Sequence, residues 1–326
     1  ENGTIFVGER GGQILALIDS DKNGQVDSKI IIAKDLEYST GISLYDGDLY
    51  FSEISKIWKI ENVEKWISNY TIDSNFPEKI LVVDNLPNDK WHGWKWLRHD
   101  QQGGLYFNIG APCNICLSEN PQYASILKYQ DNELNYIAKG VRNSVGFDFH
   151  PVTKLLFFTD NGRDWLGDDS PSCELNRVDE DGGFYGFPFK HATNVVDPEF
   201  GNINSGFKFI DPILELGAHV APTGIAFYDG IMFPKEFHEN LFITLHGSWN
   251  RSQKVGYKII RVILNEAGDV EASEDFITGW LDSTIDENGN ILETVLGRPS
   301  APFIMSDGSM LISDDKANLI YRVVLK

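Results

Sequence analysis

A short strand–turn–strand cassette recurs along the chain, and no other feature restricts the fold so strongly. TGISLYDGDLYFSE at 40–53 is followed by KIWKIE at 56–61, and WKWLRHDQQGGLYFNIG at 94–110 by SILKYQ at 125–130. VGFDFHPVTKLLFFTDNG at 145–162 precedes ELNRVD at 174–179, and TGIAFYDGIMFPKEFHENLFITLHG at 223–247 precedes KIIRVIL at 258–264. The last full copy is APFIMSDGSMLISDD at 301–315 with LIYRVVL at 319–325. A sixth opens the chain as NGTIFVGER at 2–10 with QILALI at 13–18. The second strands recur roughly every 60 residues, within reach of a propeller blade carrying insertions. Alternating apolar and β-branched or aromatic residues make strands of these runs, and the D-G and G-G pairs supply hairpin turns. Helical periodicity is confined mainly to VEKWISNY at 63–70. Radially repeated antiparallel sheets are one solution to the exposed-edge problem. The expectation is an all-β, six-bladed β-propeller forming a single domain over 1–326, with the first blade incomplete at the N-terminus. The first copy lacks the strand that should precede its second strand. Residues before Glu1 are therefore expected to be missing from this sequence, leaving the closing seam least stable.

Charge narrows the partners. There are 48 acidic against 28 basic side chains, a net −20, with 42% hydrophobic residues to build a large core. Such a field opposes phosphate backbones and anionic membranes, so no nucleic acid partner is expected. No apolar run approaches the ~20 residues that cross a bilayer, so no membrane insertion is expected. Glu1 opens the chain without a leader, which reads as a mature or trimmed product. The cysteines are Cys113, Cys116 and Cys173. One CxxC within a loop-like GAPCNICLSENP falls short of the four ligands of structural zinc, so a loop staple or two packed thiols is the simpler reading. The N-x-S/T triplets at Asn2, Asn69 and Asn250 are too common a pattern to imply glycosylation.

In a propeller, the loops leaving second strands and those entering first strands share one face around the channel. The exits supply Glu9, Arg10, Glu53, 160–164, 246–251, Asp314 and Asp315, and the entries supply His92, Arg142, Asn143, His219 and Arg298. A net-acidic protein thus sets Arg142, Arg163, Arg251 and Arg298 beside three histidines at one mouth. Guanidinium forks suit carboxylates and phosphates, which points to a small polyanionic ligand. The alternative is structural pairing with Asp160, Asp164, Asp168 and Asp169. His92, flanked by Trp91, Trp94 and Trp96, is a candidate general base near neutral pH, or else an aromatic-core histidine. His99, His150, His191 and His238 stand at strand ends beside turns and read as surface or turn residues.

Two segments suit calcium. TDNGRDWLGDDSPSCEL at 159–175 is long and polar, and Gly162 and Asp164 allow carbonyl oxygens to turn inward. DSDKNGQVD at 19–27 follows the first half of an EF-hand loop, with Asp19, Asp21, Asn23, Gln25 and Asp27 at alternating positions and Gly24 at the turn. The twelfth position is Ile30 rather than Glu, so this segment is either a weak structural Ca²⁺ loop or a polar hairpin tip.

At these residues the sequence resembles the soluble pyrroloquinoline quinone (PQQ) dependent sugar dehydrogenases, especially the sorbosone/pyranose branch. The similarity runs in order through GVRNSVGFDFHPVTKLLFFTDNGRDWLGDDSPSCELN at 140–176, GGFYGFPF at 182–189, AHVAPTGIAFY at 218–228, LHGSWNRS at 245–252 and GRPSAPFIMSDGSMLISDD at 297–315. The resemblance implies PQQ and a chelated Ca²⁺ over the channel, and oxidation of an aldose or pyranose sugar. It implies His92 as general base, Arg142 and Asn143 at the cofactor, and Gly162 and Arg163 as backbone-carbonyl ligands of the calcium. His246, Arg251 and Arg298 would contact the carboxylates or reactive face of the quinone, with His219 beside cofactor and substrate. A periplasmic or extracellular enzyme is implied as well. The chain has no CxxCH haem motif, so the electron acceptor would be external, a cytochrome or a quinone. Two other classes compete: a calcium-dependent lactonase or hydrolase, which leaves the arginines unexplained, and a non-catalytic binding propeller.

Overall fold

The computed structural model describes residues 3–325, so the Asn2 triplet lies outside the described residues. The chain is all-β and builds six antiparallel blades, a six-bladed β-propeller. It divides into two compact units, 1–139 and 140–326.

The first unit holds three blades. Blade 1 pairs Ile5–Glu9, Gln13–Ile18 and Ser28–Ala33. It begins with the strand matching the second strand of later copies, as the repeat implied. Blade 2 runs Ile42–Tyr45, Asp48–Ser52, Ile57–Ile60 and Ile80–Val83, with the expected helix, Val63–Ser68, between its last two strands. Blade 3 contains Leu97–His99, Leu105–Ile109, Ser125–Gln130 and Glu133–Lys139. The second unit holds blade 4 (Phe147–Phe149, Leu156–Asp160, Ser172–Val178, Leu214–Ala218) and blade 5 (Pro222–Phe227, Leu241–Leu245, Lys258–Leu264, Val270–Ile277). Blade 6 is Pro299–Ile304, Met310–Asp314 and Leu319–Val323.

The core lies between neighbouring blades rather than inside any one of them. Ile14, Ile32, Leu49 and Phe51 join blades 1 and 2, and Ile57, Val83, Leu97 and Phe107 join blades 2 and 3. In the second unit Phe157, Leu175, Ile225 and Ile243 join blades 4 and 5, and Phe242, Ile259, Met310 and Ile312 join blades 5 and 6. Each sheet has two apolar faces and must be flanked to bury both, which is why the cassette repeats.

A polar device recurs at the inner strands. Where the first strand starts, its backbone N–H donates to a side chain of the second strand. Gly41 donates to Ser52 Oγ at 3.1 Å, Trp96 to Asn108 Oδ1 at 2.6 Å and Ala301 to Ser313 Oγ at 3.1 Å. Gly41, Ser52 and Asn108 are buried and Trp96, Ala301 and Ser313 part-buried, so these bonds supply partners where water has little access. Neighbouring inner strands also approach very closely. A Cβ on Gly146 of blade 4 would lie 1.9 Å from the Thr223 carbonyl oxygen of blade 5.

Of the histidines expected at the surface or in turns, His150 and His191 are buried instead and His99 is part-buried. His150 does belong to a turn, its Nδ1 accepting the N–H groups of Val152 and Thr153 at 3.2 Å, but it is 1% exposed because its ring packs against Phe157 and Phe227. His99 stacks on Tyr45 at 4.7 Å, and burial pushes its pKa down to about 4. His191 is buried against a carboxylate described below. Strand-end position alone does not expose a ring when the adjacent blade covers it.

Gly146→Ala is expected to lower stability by about 2–3 kcal/mol, because backbone rather than a movable side chain meets the new methyl. Gly11→Ala, where a Cβ meets nothing within 4 Å, should stay within about 0.5 kcal/mol. Denaturant unfolding of the two variants checks this, and equal midpoints would refute the close approach.

Candidate active site

Two carboxylates position two arginines by the same means in blades 4 and 6. Asp160, the last residue of its second strand, accepts the backbone N–H groups of Arg142 at 2.8 Å and Asn143 at 2.6 Å. Asp314, in the matching place, accepts the N–H of Arg298 at 2.9 Å and those of Lys316 and Ala317 beyond it. Only glycine fits before Arg298, since a Cβ on Gly297 would fall 2.0 Å from Asp314 Oδ2. Each arginine therefore enters its first strand at a fixed point. Asp160 faces Glu174 across the ladder, and both are buried. Burial, and for Glu174 also the nearby charge of Asp160, pushes both carboxyls upward. Two backbone N–H donors and the Arg142 charge oppose that rise at Asp160, and the Ala192 N–H and the Asn176 amide oppose it at Glu174.

The guanidinium groups have acceptors of very different kinds. Arg142 is buried and donates to the Asn161 carbonyl at 3.1 Å and to Asp164 at 3.3 Å. Arg251 donates to Asp169 at 2.6 Å and to the carbonyls of Asp168 and Gln253 at 3.0 Å. Arg298 donates to the carbonyls of His246 and Gly247, while His246 Nε2 lies 3.0 Å from Asp315. His219 donates from Nε2 to the Gly167 carbonyl at 2.7 Å. Asn250 ties the loop after blade 5's second strand to Asp164 at 2.7 Å. These contacts knit the 161–171 and 246–253 loops and the entry to blade 6 into one network. It brings together Arg142, Asn143, His219, His246, Arg251 and Arg298.

Arg163 leaves that network. Its guanidinium is buried against Asp197 at 2.6 Å and Glu199 at 3.1 Å, and Asp197 also meets His191 Nε2 at 2.9 Å. Burial works to raise the Asp197 pKa, but the hydrogen bonds from His191, Arg163 and the backbone outweigh it and hold it at about 2. Burial likewise pushes His191 down. The side chain of Arg163 is thus a structural strut. The residues missed in the sequence are Asp160 and Asp314 as positioning carboxylates, and Asp197 as the partner of Arg163. The first two were readable from a repeat, R-N with T-D at 159–160 against G-R with S-D at 313–314.

The first unit carries His92. It adopts a left-handed backbone, φ 53°, and its Nδ1 lies 2.9 Å from the Ala111 carbonyl, with the rings of Trp91 and Trp94 edge-on. A carbonyl can only accept, so Nδ1 carries the proton and the lone pair of the neutral ring sits on Nε2. Just beyond Ala111, Cys113 and Cys116 form a disulfide, the loop staple of the two readings left open, while Cys173 is a buried free thiol. Three residues after His92, Lys95 is buried, and burial pushes its ammonium down to about 7. In the 19–27 loop, Asp19, Asp21 and Asp27 each bring an oxygen within 4.8 Å of the others. Asp19 and Asp21 accept the N–H of Asn23, Asp27 accepts that of Ser20, and Asn23 accepts that of Gln25.

Do the second unit's residues suit a tricarboxylate quinone? The carboxylates on Arg251 and His246 are exposed, Asp169 88% and Asp315 60%. Exposed pairs of this kind are worth about 0–1 kcal/mol, so an incoming carboxylate replaces them at small cost. The Arg298 guanidinium is held by neutral groups, the carbonyls of His246 and Gly247 and the Tyr257 ring at 5.7 Å. Three guanidinium forks and two imidazoles therefore fit an anion with several carboxylates. Arg163, held by a fully buried Asp197, does not contribute.

Residues 202–325 match the TrAA12-like family model. The whole chain is similar in structure to a Trichoderma reesei protein of Carbohydrate-Active Enzymes family AA12, with TM-score 0.75, 22% identity, and 98% of this chain and 90% of that one covered. The PQQ domain of pyranose dehydrogenase from Coprinopsis cinerea aligns with TM-score 0.75, 18% identity and coverage of 99% and 90%. The soluble aldose sugar dehydrogenase of Escherichia coli aligns with TM-score 0.68, 16% identity and coverage of 100% and 94%. At these identities the likeness establishes a shared fold. A protein of Borreliella burgdorferi, named only as uncharacterized, is 37% identical over 99% of this chain and 83% of its own length. With that degree of identity over nearly its full length, the chain belongs to the same family as the Borreliella burgdorferi protein.

Proposed function

We propose that this chain is a PQQ-dependent dehydrogenase that oxidises an aldose or pyranose-type sugar and passes the electrons to an external acceptor, a cytochrome or a quinone. One observation carries the reading: arginines from three blades of the second unit share a network in which the carboxylates on Arg251 and His246 are exposed and exchangeable and Arg298 donates to carbonyls. Arg142, Arg251 and Arg298, with Asn143, His219 and His246, would hold the carboxylates and carbonyls of the cofactor, and the carbonyls of Gly162 and Arg163 would ligate its Ca²⁺. When bound, PQQ supplies a quinone carbon able to accept hydride, and the divalent ion polarises it.

The rest falls to the protein. Asp160 and Asp314 hold the entering arginines by backbone N–H groups, so binding anions costs little reorganisation. His92, with its Nδ1–H on Ala111, would take the proton of the sugar hydroxyl on Nε2. The disulfide Cys113–Cys116 supports an oxidising, periplasmic or extracellular location. No helix among the described residues is long and apolar enough to cross a membrane. The 19–27 loop is the candidate for a structural Ca²⁺. A lactonase would recruit Asn143, Asn161 and Asp160 around a central ion and leave the arginines unexplained. Here Asp160 is engaged by two backbone N–H groups, and the Asn161 amide donates to the Asn143 and Pro222 carbonyls.

Adding PQQ and Ca²⁺ to the protein should give sugar-dependent dye reduction with an aldose panel. Esterase activity without cofactor binding would favour the lactonase, and neither activity a binding propeller. Arg142→Ala and Arg298→Ala are each expected to weaken PQQ binding at least tenfold in a titration. Charge-assisted hydrogen bonds are worth about 1.5–3 kcal/mol, so unchanged titrations would count against these two residues.

His92→Ala should bind PQQ as the parent does and lose roughly 10²–10⁴-fold in turnover, the range for a general base. Turnover within a factor of two of the parent would remove His92 from that role.

A further inference from the structure

Two bare indoles stand side by side on the loops that carry the arginine network. Trp165 is 69% exposed and Trp249 65%, with ring centroids 5.7 Å apart and planes at 88°. Large aromatic side chains bury most of their surface when the fold allows it. Here the fold turns one of them outward at a backbone cost, because Trp165 adopts φ 72°, a region that bulky residues rarely enter.

The chain on either side of the rings is pinned. Asp164 accepts from Asn250 at 2.7 Å, Arg251 donates to the Asp168 carbonyl at 3.0 Å and to the Asp169 carboxylate at 2.6 Å, and Ser252 N–H reaches Asp168 at 3.2 Å. His219 holds the Gly167 carbonyl at 2.7 Å. The rings thus sit on a rigid frame, and a ligand stacking on them forfeits little loop entropy.

We propose that Trp165 and Trp249 form an aromatic platform at a right-angled corner, one indole stacking on the apolar face of a neutral sugar ring and the other closing on its edge, so that the protein takes a saccharide through a subsite at the edge of the arginine network. This rests on the sugar-oxidising reading and names the part of the surface that would recognise the sugar. The chemistry of the rim favours a neutral polyol. The Asp169 charge is met by Arg251 and that of Asp164 by Arg142, and Asp168, exposed and hydrogen-bonded to Ser252, also lies in the field of Arg251, so no rim carboxylate stands uncompensated. Carbonyls, carboxylates and carboxamides already fixed in place suit hydroxyl groups, and the electron-rich indole faces suit the polarised C–H face of a pyranose. An aromatic cage for a quaternary ammonium would use the same rings. It calls for uncompensated negative charge and for walls on more sides than two rings provide.

The test uses the whole protein without added cofactor, titrated with glucose, cellotriose, maltotriose and N,N′-diacetylchitobiose, and separately with choline. Tryptophan fluorescence and calorimetry are the readouts. At least one saccharide is expected to bind, and Trp165→Ala or Trp249→Ala should weaken it about tenfold without moving Tm, since both rings are exposed. Trp249→Tyr should recover part of the loss. In enzyme supplied with PQQ and Ca²⁺, the alanine variants should raise KM with kcat retained. Binding of choline without any saccharide, or saccharide binding that both alanine variants leave intact, overturns the platform. The two readings also separate. Sugar oxidation with unchanged KM in both variants sinks the platform and spares the dehydrogenase. Tryptophan-dependent saccharide binding without any oxidation sinks the dehydrogenase and spares the platform.

Discussion

A carboxylate at the end of a second strand, accepting the backbone N–H of the residue that enters the first, is the contact on which the second unit's functional face depends. Asp160 does this for Arg142 and Asn143, and Asp314 for Arg298. The bond satisfies a buried N–H that the ladder does not reach, so it is a folding requirement first. It also places a guanidinium at the same point of two blades. Asp160 is buried beside Glu174, its partner across the ladder. Losing the Asp160 carboxylate would strand two backbone donors and leave Arg142 with Asp164 as its carboxylate partner.

The four arginines that look alike in the sequence have separate fates. Arg163 is a strut, since Asp197 is wholly buried and shared with His191. Arg251 and Arg142 have carboxylate partners of increasing burial, and Arg298 rests on carbonyls. A ring of four equal guanidinium groups is therefore replaced by three, graded by how readily their present partners can be exchanged. The physical basis is desolvation: an exposed pair is weak and exchangeable, whereas a buried one comes apart only by stranding a charge.

Most of the architecture was legible because a blade is a local object. Strand, turn and strand lie within about 25 residues, and hairpin signals act over that range. The second strands, the helix at 63–68 and the short first blade all fall where the cassettes put them. The burial of His99 and His150 was not legible, because the rings that cover them belong to a neighbouring blade, Tyr45 and Phe227. The tautomer of His92 depends on Ala111, a contact across a loop that a sequence does not reveal.

Sequence alone fixes how many blades there are, their order, which residues stand at their tips, and the excess of acid over base, since these follow from short-range pattern and counting. Folding in three dimensions settled which tip charges are spent on one another in buried pairs and which stay in exposed ones. Asp197 lies 34 residues from Arg163, and Trp165 meets Trp249 from another blade's loop. Pairing of that kind is set by the distance between loops after the sheets have stacked, a quantity with no counterpart in residue order.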